Sequence, residues 1–316
     1  MSMPFYVSAE QQMRDKDDYA RKGVARSRSS VALQYAGGIL MVTPNVSTVL
    51  HKISEIYDRI AFAAVGRYNE YEVLRKAGVT YADLTGYSFD RGDVTARGLA
   101  NWYAQQLGTS FTESMKPYEV EIVVTEVGLR PDSDQIYRIR WDGSVSDEPG
   151  FVAFGGQADT VSAALKERFS DNMSLTEALG AALDALSAPP PAAPAPSGSG
   201  SAATAAKAAA SAGAAGNGTP TELPAAQLEV AILDRARAHR TFRRLQGPRL
   251  EELIAESRAA AAAATPAAPA APAAPPATAA PKDAPASPAS PTRPASDEPP
   301  TGPSAGSDGI PKPPTK

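Results

Sequence analysis

The sequence has 316 residues, no cysteine, two histidines and a formal net charge of −4. That excludes a disulfide framework and a thiolate metal site, argues against a histidine-rich metal site, and is too mild an imbalance to indicate nucleic acid or an anionic membrane. No stretch approaches the ~18 apolar residues of a membrane span, and MSMPFYVSAEQQ lacks a basic region followed by an apolar one, so a cytoplasmic location is expected.

Met1 to Val7, with Pro4 ahead of Phe5 and Tyr6, reads as an extended arm. Ser8 is a good N-cap, and a mostly polar helix is predicted from Ala9 to Arg21 or Lys22, ended by Gly23. It suits either a surface position or contact with a neighbouring subunit. Ser30 to Thr43 gives two strands, VALQY and GILMV, joined by Ala36-Gly37-Gly38.

The stretch Leu50–Gly66 reads as strand, tight turn, strand. Ile53, Ile56 and the run Ile60–Val65 are apolar and partly β-branched, and Tyr57-Asp58-Arg59 breaks them as a hairpin turn would. Lys52 stands at the entry to the first strand. Its residue type alone fits a lysine that discourages edge pairing.

A helical face follows from Tyr68 to Val79, interrupted by Gly78, and Thr95 caps a second helix through Leu99, Tyr103, Leu107 and Phe111. Strands are predicted over Tyr118–Val127, Gln135–Trp141 and Phe151–Phe154, with Asp142-Gly143 as a hairpin signal. Ala158–Phe169 and Leu175–Leu186 are amphipathic, the second opened by the capping box Ser174…Glu177. Residues 187–226 and 259–316 are dominated by Ala, Pro, Ser, Gly and Thr, which cannot bury enough apolar surface to offset ordering entropy, so both are expected to be disordered. Between them lie a strand at Leu228–Leu233, a second at Phe242–Leu245, and a short helix at Pro248–Glu256. Runs of strands alternating with helix pairs argue for an α+β fold, two mostly antiparallel sheets covered by helices.

Other motifs read as structural. Asp58-Arg59 and Asp90-Arg91 suit turns, and the glycine pairs at 37–38 and 155–156 lack a phosphate-loop context. Five arginines between Arg235 and Arg244 suit a solvated hairpin, without the basic helix or interleaved aromatics of a nucleic-acid surface. His51 and His239 read as ordinary surface residues.

Several stretches together resemble an actinobacterial proteasome α-subunit of the N-terminal nucleophile hydrolase superfamily. They are YARKGVARS, SVALQYAGGILMV, KISEIYDRIAFAAVG, KPYEVEIVVTEV, the DGS turn with FVAFGG after it, and LEVAILD. The similarity spans about 1–186 and 227–254. It implies a four-layer αββα domain over 8–186 and 227–258, interrupted by a linker at 187–226, with a gate arm at 1–7 and a tail at 259–316. It further implies a heptameric ring of neighbouring α-subunits capping rings of a proteasome β-subunit, and an AAA-type ring ATPase or other activator docking by its C-terminus. No cofactor, metal, nucleic acid or membrane is expected.

Catalytic relatives use a freed N-terminal threonine, an acid after the second strand and a lysine at the start of the third. Here Ser29 and Ser30 stand near the nucleophile's place and Pro44 near the acid's; only the lysine persists, as Lys52. The resemblance therefore implies no catalytic residue, in a subunit of a threonine-type endopeptidase complex. The alternative is an autonomous hydrolase of the same fold. The resemblance assigns Lys52, Gly66 and Arg21 to the activator pocket, with the Lys52 ammonium pairing a terminal carboxylate. It assigns Ser2, Met3, Pro4, Phe5, Tyr6, Val7 and Ser8 to the gate, with Ala9 standing where relatives often carry proline.

Overall fold

A computed structural model of the chain describes residues 8–188 and 223–264, with side chains to residue 260. The elements run α1 (Ala9–Ala25), β1 (Ser30–Tyr35), β2 (Gly38–Pro44), β3 (Ile53–Tyr57), β4 (Ile60–Gly66), α2 (Tyr68–Ser88), α3 (Ala96–Glu113), β5 (Val120–Glu126), β6 (Gln135–Ile139), β7 (Val145–Asp147) and β8 (Phe151–Phe154). After them come α4 (Ala158–Arg168), α5 (Leu175–Leu186), β9 (Leu228–Asp234), β10 (Phe242–Leu245) and α6 (Pro248–Ala264).

The strands form two five-stranded sheets, ordered β10-β9-β2-β1-β8 and β3-β4-β5-β6-β7, with antiparallel neighbours. Alternation along each strand assigns its side chains to two different cores. In β4, Ala61, Ala63 and Val65 face the other sheet, while Ile60, Phe62 and Ala64 face α2 and α3. In β2, Ile39 and Met41 enter the inter-sheet core, while Leu40 and Val42 meet the layer of α4, α5 and α6. The result is the expected four-layer αββα sandwich. Because both faces are covered, the strands read as near-continuous apolar runs instead of alternating apolar and polar.

α1 lies where the inter-sheet core opens. Ala20 and Val24 are buried in that core. Lys16 Nζ donates to the carbonyls of Phe111 (3.0 Å) and Thr112 (3.2 Å), and Trp141 Nε1 donates to Asp17 (2.9 Å). The helix is thus tied to its own domain more firmly than its polar sequence suggests.

Three boundaries differ from the sequence expectation, two of them at glycines in close contact with distant residues. α1 continues through Gly23 to Ala25, because Gly23 serves close approach to the Glu119 side chain, with no helix-ending turn there. α2 continues through Gly78 to Ser88, and α6 runs past Glu256 to Ala264, into the alanine-rich start of the supposed tail. The gate residues Ser2 to Val7, most of the linker and the rest of the tail lie outside the described residues.

Gly78 explains its own presence. A Cβ there would sit 1.8 Å from the Tyr103 hydroxyl. Tyr103 is fully buried, packed against Phe62 and Trp102, and cannot swing away. Its hydroxyl has no hydrogen-bond partner. Alanine ordinarily stabilises a helix interior by ~1 kcal/mol over glycine. Here Gly78→Ala should destabilise by about 1–3 kcal/mol through overpacking. Tyr103→Phe alone should be neutral or stabilising, and the double variant should recover most of the loss. Urea unfolding of the three variants checks this.

Candidate functional site

Lys52 enters β3 from the loop after β2. Its carbonyl accepts from Ala64 N–H (3.1 Å), which places Lys52 at the open end of the β3–β4 hairpin. Gly66 ends β4 at that same end, so the hairpin brings these two predicted residues together.

The Lys52 ammonium is half-buried and donates to the Pro44 carbonyl at 3.1 Å. It has no carboxylate within ion-pair distance among the described residues. Burial lowers its pKa, the charge of Glu229 opposes that, and Arg28 adds to it. The nearby Glu229 carboxylate is already occupied. It accepts from Lys52 N–H (2.9 Å), Ile53 N–H (3.2 Å), Asn45 Nδ2 (2.8 Å) and the Arg244 guanidinium, and His51 Nδ1 lies 3.4 Å away. Arg244 also donates to the Ile53 carbonyl at 2.8 Å. His51, expected as an ordinary surface residue, is partly exposed and lies beside this carboxylate.

Gly66 has φ +110°, and a Cβ there would lie 2.0 Å from the Glu119 carbonyl oxygen. The glycine is thus required within the chain itself, by a positive φ and by the pairing of Gly66 with Val120. Glu119 joins this strand end to α1. Its carboxylate lies against Gly23, 2.9 Å from Arg67 Nε and 3.4 Å from Lys116 Nζ, and Lys116 also pairs with Glu70. Burial would raise the Glu119 pKa, but Tyr19, Arg67 and Lys116 together hold it below the usual carboxylate range.

Arg21 is not drawn to Lys52. Its exposed guanidinium pairs with Asp17 and lies 3.7 Å from Asp18 on the same helix, and the hydrogen bond it donates to Asp17 holds its proton more tightly. What connects Arg21 to the other two is its helix, through Gly23 and Glu119. Ser8, the last gate residue, caps α1 by accepting from Gln11 N–H at 3.2 Å. Ala9 takes the first helical position, where proline would also fit.

The positions that stand near the catalytic set of the catalytic relatives are close together and engaged in other contacts. Ser29 and Ser30 are buried in the chain that follows α1. Ser29 Oγ accepts from Gln157 N–H (2.8 Å), and Ser30 Oγ donates to Thr43 Oγ1 (2.7 Å). Four of the five clustered arginines are ion-paired: Arg235 with Asp134, Arg240 with Glu55, Arg243 with Asp234, and Arg244 with Glu229. That accounts for the basic segment. Among the described residues no acid or histidine cluster suits a metal ion, and no helix is long and apolar enough to cross a membrane.

Sequence reasoning missed Glu229, Glu119 and Asn45. The available signal was a carboxylate inside an apolar strand pattern, as in LEVAILD and YEVEIVV, which demands a buried partner.

A family model described as Proteasome subunit matches residues 24–189. Proteasome subunit alpha of Thermomonospora curvata is 60% identical over 256 residues, covering 81% of this chain and 99% of that relative. The same-named proteins of Streptosporangium roseum and Thermobifida fusca are 59% and 58% identical, covering 83% and 81% of this chain and 90% and 92% of their own lengths.

The lowered Lys52 pKa carries a consequence for stability. Below the folded-state pKa both folded and unfolded chains hold the proton, and the native state bears the full cost of burying the charge. As pH rises from there toward the ordinary lysine range, that cost is relieved. Lys52→Met should therefore raise the unfolding midpoint at pH 7. Its advantage over the parent should shrink in the alkaline range, a difference that denaturant titrations at pH 7 and pH 10 would read.

Proposed function

The chain belongs to the proteasome subunit family, among its α-type members, and from that premise we propose that it is a non-catalytic ring subunit that gates substrate entry and docks an activator. Seven copies form an outer ring that templates and caps the β-subunit rings, in which a threonine-type endopeptidase cuts peptide bonds. A ring ATPase of the AAA type docks on that outer ring by its C-terminal tail and feeds in tagged proteins.

The observation that carries this reading is the state of Lys52. Its ammonium is half-buried, meets a carbonyl, and has no carboxylate of its own, while Glu229 beside it is saturated. An incoming terminal carboxylate would supply the missing counter-charge, and a charge-assisted hydrogen bond in a partly dry site is stronger than a neutral one. Gly66 lies at the same hairpin end. Arg21 takes part from the outer surface of α1, where it remains accessible to a neighbouring subunit or a docked tail.

A lack of catalysis is supported by the serines. Both are buried and the hydrogen bonds of both hydroxyls serve the fold; a free amine at Ser29 would require cleavage behind α1. Residues Ser2–Ser8 are proposed as the gate. α1 holds their point of origin, and docking at the Lys52 end biases that helix through Gly66, Glu119 and Gly23.

Lys52→Ala tests the reading directly. Losing one partner of a desolvated charge pair costs ~2–5 kcal/mol, multiplied in effect by several pockets on one ring. ATPase-stimulated protein degradation by the α/β particle should be abolished, while unstimulated peptide cleavage stays at the parental rate. Lys52→Arg should rescue only partly, since a planar guanidinium fits a single compact carboxylate site poorly. Undiminished stimulation in Lys52→Ala would return Lys52 to the role of an edge lysine. A separate measurement addresses the gate: deleting Ser2–Ser8 should speed cleavage of short peptides by the particle, and an unchanged rate in normal rings would remove these residues as the barrier.

A further inference from the structure

Glu229 is an expensive residue in its place. It belongs to β9, whose Ala231 and Leu233 face the inter-sheet core and whose Val230 and Ile232 face the helices. By the period of the strand, Glu229 lies on the inter-sheet side, where it is almost wholly buried. Its carboxylate crosses from one sheet to the other and ends at the entry of β3, 177 residues earlier in the chain. A buried ion pair seldom stabilises more than a well-packed apolar replacement. Stability alone therefore does not account for a carboxylate here.

What the carboxylate does account for is geometry. It accepts both the Lys52 and the Ile53 N–H groups, and its partner Arg244 holds the Ile53 carbonyl. The backbone from which the Lys52 side chain departs is thereby fixed on both sides. Glu229 also accepts from the Asn45 amide, and Asn45 follows Pro44, whose carbonyl receives the Lys52 ammonium. The root and the tip of a side chain with four rotatable bonds are thus tied to one carboxylate. The titratable and charged groups that face Glu229 are Arg244, His51 and Lys52, and Arg28 acts on Lys52 alone, so this is a local network and not a general field.

We infer that Glu229 is a positioning residue for Lys52: it holds the β3 entry and the Pro44–Asn45 turn so that the ammonium meets a terminal carboxylate in one geometry. The inference rests on the docking role proposed above for Lys52. Glu229 touches no docked tail; it acts through the peptide and the turn.

The test uses full-length chain assembled with β-subunits, and trace acetic anhydride as a probe of the Lys52 amine, read by mass spectrometry. Glu229→Gln keeps the size of the side chain and removes its charge. With the neighbouring carboxylate gone and the amine freed from Pro44, Lys52 should be acetylated about threefold faster or more. ATPase-stimulated degradation should fall about tenfold, as expected for a misplaced binding group, with unstimulated peptide cleavage unchanged. Asn45→Ala should act in the same direction with a smaller effect, and it decides the matter if Glu229→Gln does not assemble. Unaltered Lys52 acetylation in the assembled variant overturns the inference. Faster acetylation in Asn45→Ala as well, where no charge is lost, together with full ATPase stimulation upholds the positioning by this network and overturns the docking role of Lys52, so the two ideas fail separately.

Discussion

Each sheet is sealed on both faces, one by the other sheet and one by helices, so its central strands have no solvent side on which to place charge. A polar group that enters these layers without a partner costs stability, and the buried Tyr103 hydroxyl is one that does so; most of the others bring a partner. The pairs are present: Glu121 with Arg138 and the Gly155 N–H, Asp134 with Arg235 and the Gly128 N–H, and Ser30 with Thr43. The same rule dictates the close-packed glycines. Where α2 crosses Tyr103 and where β4 meets Glu119, no room is left even for a methyl group.

Function, on this reading, sits where the sealing is incomplete. At the open end of the β3–β4 hairpin two buried glutamates reach toward the surface in opposite capacities. Glu229 gathers backbone N–H groups, an amide and a guanidinium, and leaves the Lys52 ammonium without a directly paired carboxylate among the described residues. Glu119 gathers Arg67 and Lys116 and presses against the helix that leads to the N-terminal arm. On the proposed reading one network sets a cation for an incoming anion; the other connects that region to α1. Neither network is needed to close the core, and both are costly to bury. Their expense is consistent with selection for geometry over stability.

Much of the architecture was legible because the two-sided burial writes itself into composition. The uninterrupted run Ile60–Val65, the Gly-rich turn at 36–38 and the Ser174…Glu177 capping box each have a local physical cause, and each falls where the sequence puts it. Helix ends were less legible. Gly23 and Gly78 look like terminators in a linear reading, yet both are interior, because their role is contact with Glu119 and Tyr103, residues far away in sequence. Lys52 and Gly66 could be linked by their places in one hairpin. The partners of Lys52 could not, since Glu229 lies beyond a long low-complexity stretch and the pairing of β2 with β9 has no local signal. The arginines between Arg235 and Arg244 show the same limit. As a string they suggest a solvated hairpin, and residues 236–240 are exposed in one; Arg243 and Arg244 pair within that hairpin, while Arg235 and Arg240 answer carboxylates from distant elements.

The pairing of β9 with β2 also sets an order of events during synthesis. Until β9 leaves the ribosome, β2 has β1 on one side and an unpaired row of backbone donors and acceptors on the other. Such distant pairing is slow to form, and an open apolar edge invites association with other nascent chains. The segment that closes this edge is also the one that carries Glu229. A truncated product ending before β9 would thus lack both the closure of its sheet and the anchor of the β3 entry. Such incomplete chains would carry a sticky edge together with an unanchored Lys52 segment, two defects that one late-arriving strand removes at once.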